Sequence, residues 1–417
     1  VIIYAKEPLK YLATINDEAL TEQTDPCQEI KYIDIGNVDS NGEISEIAEY
    51  RFEDAPSRAR RIVRDGDIII STVRTYLQAI APIESPPNNL IVSTGFAVVR
   101  SKHERLDENY CKYALRAPEF IGEVVSRSVG ISYPAINASD LGSIEIYVPP
   151  LSEQRQIAEY LDRETQKLDA LIAAKKRLLE LLAEKRRALI TQAVTRGLNA
   201  DVLMEDSRSI LIGEVPRHWQ VTYLRRVISQ MDYGISESVG VEGKVAVLRM
   251  GDIYDGEIHY KNVGFVKEVD PLLMLAPGDL LFNRTNSLDQ VGKVGIFREY
   301  QEFPVSFASY LVRMRCGKDV LPDFLNYSLN SDPMLKWARS EALPAIGQAN
   351  LNPNRYSYLP IVIPPIEEQI EILEYLQIST DKIDRLFSAT RSTISLLQER
   401  RTSLISAAVT GQLQIPD

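Results

Sequence analysis

Residues 149–198 and 364–413 are one fifty-residue segment written twice in a single chain. A shift of 215 positions aligns the copies without a gap, and roughly twenty of the fifty positions are identical. Pro149, Pro150, Glu153, Gln154, Ile157, Glu159, Tyr160 and Leu161 return as Pro364, Pro365, Glu368, Gln369, Ile372, Glu374, Tyr375 and Leu376. Leu181, Leu182, Glu184, Leu189 and Ile190 return as Leu396, Leu397, Glu399, Leu404 and Ile405. A repeat of this length sets the architecture before any chemistry is considered. It divides the chain into 1–148, the repeat segment 149–206, a second stretch 207–363, and the second repeat 364–417.

Apolar positions within each repeat follow a helical heptad. Leu161, Leu168, Leu182 and Leu189 share one register, with Leu171, Ile172, Leu178 and Leu179 filling the adjacent stripe. Leu376, Ile383, Leu397 and Leu404 repeat it, flanked by Leu386, Phe387 and Ile394; Lys175 and Thr390 are the polar interruptions. The spacing predicts helices over about 165–195 and 380–410, with Ser152 as an N-cap and Gly197 and Gly411 as stops. Each would be about 46 Å long at 1.5 Å per residue. Two matching stripes are most simply satisfied by each other, as an antiparallel coiled coil with a pseudo-twofold axis.

The intervening stretches read as short strands and turns, and they resemble one another. Gly66-Asp67-Ile68-Ile69 matches Gly278-Asp279-Leu280-Leu281, and Ile35-Gly36-Asn37-Val38 matches Met250-Gly251-Asp252-Ile253. The expected fold class is α+β: two β-rich globular domains separated by two long helices. A shared frame with unlike loops suits recognition.

Composition excludes several functions. The chain carries a net charge of −11, eight of it in 1–148 and three in 364–417, while the two middle stretches are neutral. Clustering on one face matters more for phosphate contact than this total. Three scattered cysteines point to a reduced cytoplasmic protein. No apolar run suits a membrane span. The chain opens Val1-Ile2-Ile3-Tyr4, without methionine, which suggests a start inside a longer coding sequence. There is no phosphate-binding glycine loop, no metal spacing around His103, His218 or His259, and no nuclease carboxylate pair. The Pro-Pro pairs lack the flanking residues of an amino-methyltransferase motif, and Ser85-Pro86-Pro87-Asn88 lacks its aromatic. No catalysis, cofactor or metal is expected of the chain alone.

The order of variable domain, Pro-Pro-[Leu/Ile]-x-Glu-Gln helix, variable domain and second such helix resembles the specificity subunit of a Type I restriction–modification system. The resemblance spans almost the whole chain. Gly213-Glu214-Val215-Pro216-Arg217-His218-Trp219 adds to it, resembling the family's approach to a recognition domain; no counterpart of that segment is evident before the first domain. The resemblance implies target-recognition domains at 1–148 and 207–363, each reading half of a bipartite, asymmetric double-stranded DNA site. It further implies that the helices set the gap and dock two methyltransferase subunits, with restriction (translocase/nuclease) subunits as further partners. A 46 Å spacer corresponds to about 14 base pairs.

Expected base readers flank the Gly-Asp strands: Ser71, Thr72, Arg74 and Tyr76 in the first domain, and Asn283, Arg284, Thr285 and Asn286 in the second. A second cluster, Gln348, Asn350 and Asn352, parallels Ser132, Tyr133 and Asn137. Arginine can take guanine O6 and N7 together, and asparagine or glutamine adenine N6 and N7. Arg58, Arg60, Arg61, Arg64 and Lys293 are the expected phosphate contacts. Glu153, Gln154, Tyr160, Glu368, Gln369 and Tyr375 are the expected subunit-docking residues. The alternatives are a protein-only coiled-coil scaffold without DNA, supported by the acidic first stretch, and the specificity partner of a fused restriction–methylation enzyme.

Overall fold

A computed structural model describes residues 4–415 apart from 261–262, 300–301 and 346; the opening Val1–Ile3 lies outside the described residues. The fold is α+β, as expected. Two compact units form, one from residues 1–176 with 391–417 and the other from 177–390. The division falls inside both long helices, so each unit holds one β-rich domain and a segment of each repeat.

The first unit is built on a four-stranded antiparallel sheet in the order Ala13–Ile15, Phe96–Ser101, Ile68–Ser71, Ile80–Pro82. Alternation along Ile68–Ser71 divides the core in two. Ile68 and Ile70 pack with Leu106, Tyr110, Cys111 and Phe120, while Ile69 packs on the opposite face with Ile33, Val92 and Val98. The second unit repeats the device. Leu280 and Phe282 face one cluster and Leu281 another, within a six-stranded sheet where Leu280–Asn283 lies beside Leu311–Cys316. Because both faces of these strands are buried, every residue of each must be apolar or small until its last.

The helices are longer than expected. They run Leu151–Arg196 and Ile366–Val409, 46 and 44 residues. Each begins directly after its proline pair, so Ser152 lies in the first turn and does not cap it. Proline tolerates the first turn, where its missing N–H costs nothing. Gly197 and Gly411 end the helices with φ of +73° and +78°, as expected.

In each unit by itself the helical segments run antiparallel. In the first, Ile157 and Leu161 share a cluster with Ile405 and Val409, and Arg401 Nε donates to Asp169 Oδ1 at 2.8 Å. In the second, Ile190 and Val194 share one with Ile372 and Leu376, and Arg186 pairs with Asp384 at 3.4 Å. Leu161, Leu168, Ile172, Leu182, Leu376 and Ile383 are buried. The adjacent stripe differs from expectation: Leu171, Leu178 and Leu386 are exposed, as are Leu181 and Leu396. A helix with one partner stripe and one domain beside it has a third side left over.

The pairs Gln154 and Gln369 fasten helix to domain. Both are fully buried. Gln154 Nε2 donates to the carbonyls of Pro149 and Arg105, and its Oε1 accepts the Asp107 N–H at 2.8 Å. Gln369 Nε2 donates to Pro364 and Asp319, and its Oε1 accepts the Leu321 N–H at 2.8 Å. Asp107 and Leu321 are the N-cap residues of the helices Glu108–Ala114 and Pro322–Leu329. Replacing either glutamine by alanine leaves three backbone groups without their partner, the proline carbonyl among them buried, and the expected cost is on the order of 3 kcal/mol. A fall in the urea midpoint of each variant checks this, with Gln156→Ala, on the exposed side of the same turn, as the unchanged control.

Candidate nucleic-acid interface

Each Gly-Asp turn launches a buried strand toward a surface loop. Gly66 and Gly278 have φ of +81° and +92°, which side-chain-bearing residues avoid. The aspartates that follow are buried and look inward. Asp67 accepts the Arg64 N–H at 2.7 Å and both arms of the Arg100 guanidinium at 2.8 and 2.7 Å. Asp279 accepts the Ala276 N–H at 3.0 Å and the Arg315 guanidinium at 2.8 and 3.1 Å. These hydrogen bonds hold the Arg100 and Arg315 pKa values above the ordinary arginine value. The charged pairs therefore fix the strand, and the chemistry lies at its far end.

In the first unit the strand ends at Ser71, which is buried and donates to the Val73 carbonyl at 2.6 Å. Thr72 donates to the Gly95 carbonyl at 2.8 Å. Both hydroxyls are thus engaged within the chain. Beyond them a turn at Thr75–Leu77 is bracketed by Arg74 and Gln78, both left-handed at φ +52° and +55°. Thr75 N–H reaches the Pro134 carbonyl, and its hydroxyl donates to Ser128 Oγ at 2.7 Å. A Val73–Ala135 bridge completes the join. The loop and the 129–135 segment, separate in sequence, therefore form one surface. Arg74 lies over the Tyr133 ring at 4.9 Å, with Tyr76 and Tyr133 exposed. Asn137, though exposed, caps the helix Ala138–Gly142 by accepting the Asp140 N–H at 2.8 Å.

The second unit makes the same join with other residues. Strand Thr285–Asn286 pairs with Gln348–Asn350, which pairs with Leu343–Ala345. Arg284 donates to the Ser309 carbonyl at 3.4 Å and to Asn350 Oδ1 at 3.3 Å, and sits 5.2 Å from the Tyr233 ring. Asn350 also donates to Thr285 Oγ1 at 3.1 Å, so it orients the arginine and leaves little of its own amide to read a base. Asn283 is fully buried, and its Nδ2 reaches the Met250 carbonyl at 3.3 Å. Asn286 Oδ1 accepts the Ser287 N–H at 2.8 Å. Asn352 caps Pro353–Tyr356 by accepting the Asn354 N–H at 2.9 Å. It lies 215 positions after Asn137 and does the same work. Gln348 is exposed.

Two residues at this surface, Tyr233 and Tyr310, were not expected from sequence. Arg284 N–H donates to the Tyr310 carbonyl at 3.1 Å, and both rings are about half exposed. Tyrosine in a strand end gives no signal of its own, and only the fold brings either beside Arg284. Gln78 was also missed, although it closes the turn that Arg74 opens.

The expected phosphate contacts divide. Arg58 is exposed, and no ion pair is found for it among the described residues. Arg60 lies over the Phe52 ring at 4.7 Å. Arg61 is half-buried. Arg64 is paired with Glu18. Lys293 donates to Gln290 Oε1 at 2.8 Å, and burial draws its pKa below the ordinary lysine value. Arg58 alone of the five stands open.

The expected docking residues divide likewise. Gln154 and Gln369 are internal pins, unable to meet another subunit. Glu368 accepts His218 Nε2 at 2.6 Å and Trp219 Nε1 at 2.9 Å. Glu153 faces Tyr4, whose pKa is raised to about 12, mainly by burial and further by that carboxylate. Tyr4 is 215 positions before Trp219, so the first domain does have a counterpart of that anchor, as a tyrosine in place of the tryptophan. Tyr160 is half-buried with Arg163 over its ring at 5.5 Å, and Tyr375 is exposed.

The family model of the Type I restriction modification DNA specificity domain matches residues 9–181. The Type I restriction enzyme MjaVIII specificity subunit of Methanocaldococcus jannaschii is 24% identical over 332 residues, 78% of this chain and 75% of that protein. The EcoKI specificity subunit of Escherichia coli is 24% identical over 298 residues, 70% of this chain and 62% of that protein. A chain from a solved structure concerned with complex assembly and conformational transition of the type I R-M system aligns with a TM-score of 0.76. The two are 21% identical, with 99% of each covered. The HsdS subunit from Thermoanaerobacter tengcongensis aligns at 0.52 and 22% identity, covering 98% of this chain and 97% of that one. These structural likenesses establish a shared fold.

If Asn352 is a cap, Asn352→Ala lowers stability by about 1 kcal/mol. A denaturant titration checks it; a side chain kept for base reading alone would leave the midpoint in place.

Proposed function

Because this chain is a DNA-recognition specificity subunit of the Type I restriction–modification family, we propose that each unit reads one half of a bipartite, asymmetric double-stranded site through its strand-end loop and the adjoining hairpin. The carrying observation is one frame with two outward faces. Arg74, Tyr76, Gln78 and Tyr133 stand outward in the first unit; Arg284, Gln348 and the rings of Tyr233 and Tyr310 do so in the second. A guanidinium held at two points and against a ring is already oriented, which suits bidentate contact with guanine O6 and N7. The charge pattern agrees with delivery of DNA by local cations such as Arg58, since the total charge is negative.

On this reading the helical segments set the unread gap. Their third side takes two methyltransferase subunits, which supply the catalysis and through which restriction subunits are reached in the cytoplasm. Leu171, Leu178, Leu181, Leu386, Leu396 and Tyr375 support that assignment better than the carboxylates and amides do. Exposed leucines at helical spacing are what a protein partner covers, and two of them recur between the repeats, Leu171 as Leu386 and Leu181 as Leu396.

Two experiments test this. Mapping methylated adenines in cells that carry the assembled methyltransferase should give a split motif, and Arg284→Ala should relax a single position in one half by about 1–3 kcal/mol of discrimination. An unchanged motif in that variant removes Arg284 from the readers. Leu386→Asp should leave the unfolding midpoint unaltered and reduce co-purification with methyltransferase subunits; undiminished co-purification counts against the helix face.

A further inference from the structure

The outward turns carry an apolar residue that no hydrogen-bond reader needs. Tyr76 lies five residues beyond Ser71, the end of its strand, and Leu288 lies five beyond Asn283. Both are 54% exposed. Their surroundings have diverged: the loop is two residues longer in the second unit, closing at the Asn283 N–H to Lys293 carbonyl bond where the first closes at Ser71 to Ala79. An exposed apolar side chain is ordinary on any surface. One kept at the same offset in two unlike loops is not explained by packing, because neither residue belongs to a core cluster.

The turns are also stiff. Two of the six non-glycine residues with left-handed φ among the described residues, Arg74 and Gln78, bracket Tyr76 and Leu77. Such residues persist where the surroundings over-determine them. Thr75 is tied to Pro134 and Ser128 beneath the turn, and Leu77, 41% exposed, stands beside Tyr76. Around Leu288, the Val291 N–H closes on the Ser287 carbonyl at 2.9 Å, and Arg339 holds the Asp289 carbonyl at 3.0 Å. In the first unit a rigid apolar point stands on the turn that an oriented arginine opens, which has the form of a wedge, and Leu288 holds the matching offset in the second.

We propose that Tyr76 and Leu288 each insert between two base pairs of the half-site, unstacking that step while Arg74 and Arg284 hold neighbouring base edges. This rests on the DNA reading above and adds a second kind of recognition to it. Apolar wedges that enter from the minor groove kink duplexes by roughly 20–90°, and one beside an arginine in the major groove would unstack its step from the other side. Pyrimidine–purine steps yield most readily, so a wedge selects sequence at a step where no hydrogen bond is made. Tyrosine adds stacking on the exposed base, and leucine only fills the gap. The two half-sites would therefore differ in how firmly the opened step is held, as well as in the bases read.

The test uses the full chain assembled with methyltransferase subunits, and a nicked plasmid carrying the methylated motif. Ligation in the presence of the complex records unwinding as a deficit in linking number. The wild-type complex and Tyr76→Phe should give a deficit. The double variant Tyr76→Ala with Leu288→Ala should unfold at the same temperature and, at a concentration that saturates the plasmid, give none. An equal deficit in wild type and double variant, or binding by wild type without any deficit, overturns the wedge and leaves the DNA reading standing. Failure of the wild-type complex to bind plasmid at any salt concentration overturns the DNA reading itself, and the wedge with it.

Discussion

The fold depends on a primary amide buried where a long helix meets a domain. A side-chain amide offers two donors and two acceptor positions. Gln154 and Gln369 each direct them at three backbone groups: the proline carbonyl that ends the preceding strand connection, a carbonyl of the loop after the central sheet, and the N-cap N–H of a short helix. Both glutamine side chains are shut away from water, so none can take their place. Helix direction, short-helix position and the loop that leaves the sheet are thereby fixed together, once per unit. Glu368, one residue earlier, accepts a hydrogen bond from Trp219 of the segment that opens the second domain, and Glu153 faces Tyr4 at the matching place in the first.

From that anchor the geometry runs outward in a chain of dependencies. The helix segment contributes Ile157 and Leu161, or Ile372 and Leu376, to the same core that receives one face of the central strand. The Gly-Asp turn starts that strand, and an arginine from the neighbouring strand neutralises the buried carboxylate. Breaking such a pair by removing one partner is far more costly than a surface change. The loop at the strand's end inherits the rigidity of everything behind it, which is what a base-reading arginine requires.

Much of this was legible because the chain repeats itself. Heptad spacing gave the helices and their mutual burial, and alternation gave the central strands. The helix starts were misplaced because residues 151–164 are richly polar, and a stripe-based reading passes over a turn that is held by one buried glutamine. The same effect misassigned the amides. Asn137, Asn283 and Asn352 are polar, lie near loops and look like readers in one dimension, as Gln154 and Gln369 look like docking residues. Nothing in a sequence separates an amide facing solvent from one that caps a helix or pins a strand. Arg74 and Arg284 could be singled out by their position after the strand. Tyr233 and Tyr310 could not, since their roles come from strands brought alongside.

The paired copies supply the missing criterion. Positions that match between the two domains, Asp67 with Asp279, Arg100 with Arg315, and Asn137 with Asn352, are those whose polar atoms close on the chain itself. Positions that differ, Arg74 against Asn286 and Leu77 against Asp289 counted from the strand ends, face outward or lie at the rim. The contrast has an energetic basis. Substitution of an exposed side chain away from caps and buried pairs changes stability by only about ±0.5 kcal/mol, whereas loss of a buried amide or ion pair removes a large share of a domain's margin. The outward set is thus free to differ between the two domains while the inward set is not. A new specificity on this frame should therefore need changes at Arg74, Tyr76, Gln78 and Tyr133, or at their counterparts around Arg284, and none at the polar residues that resemble readers but hold the fold.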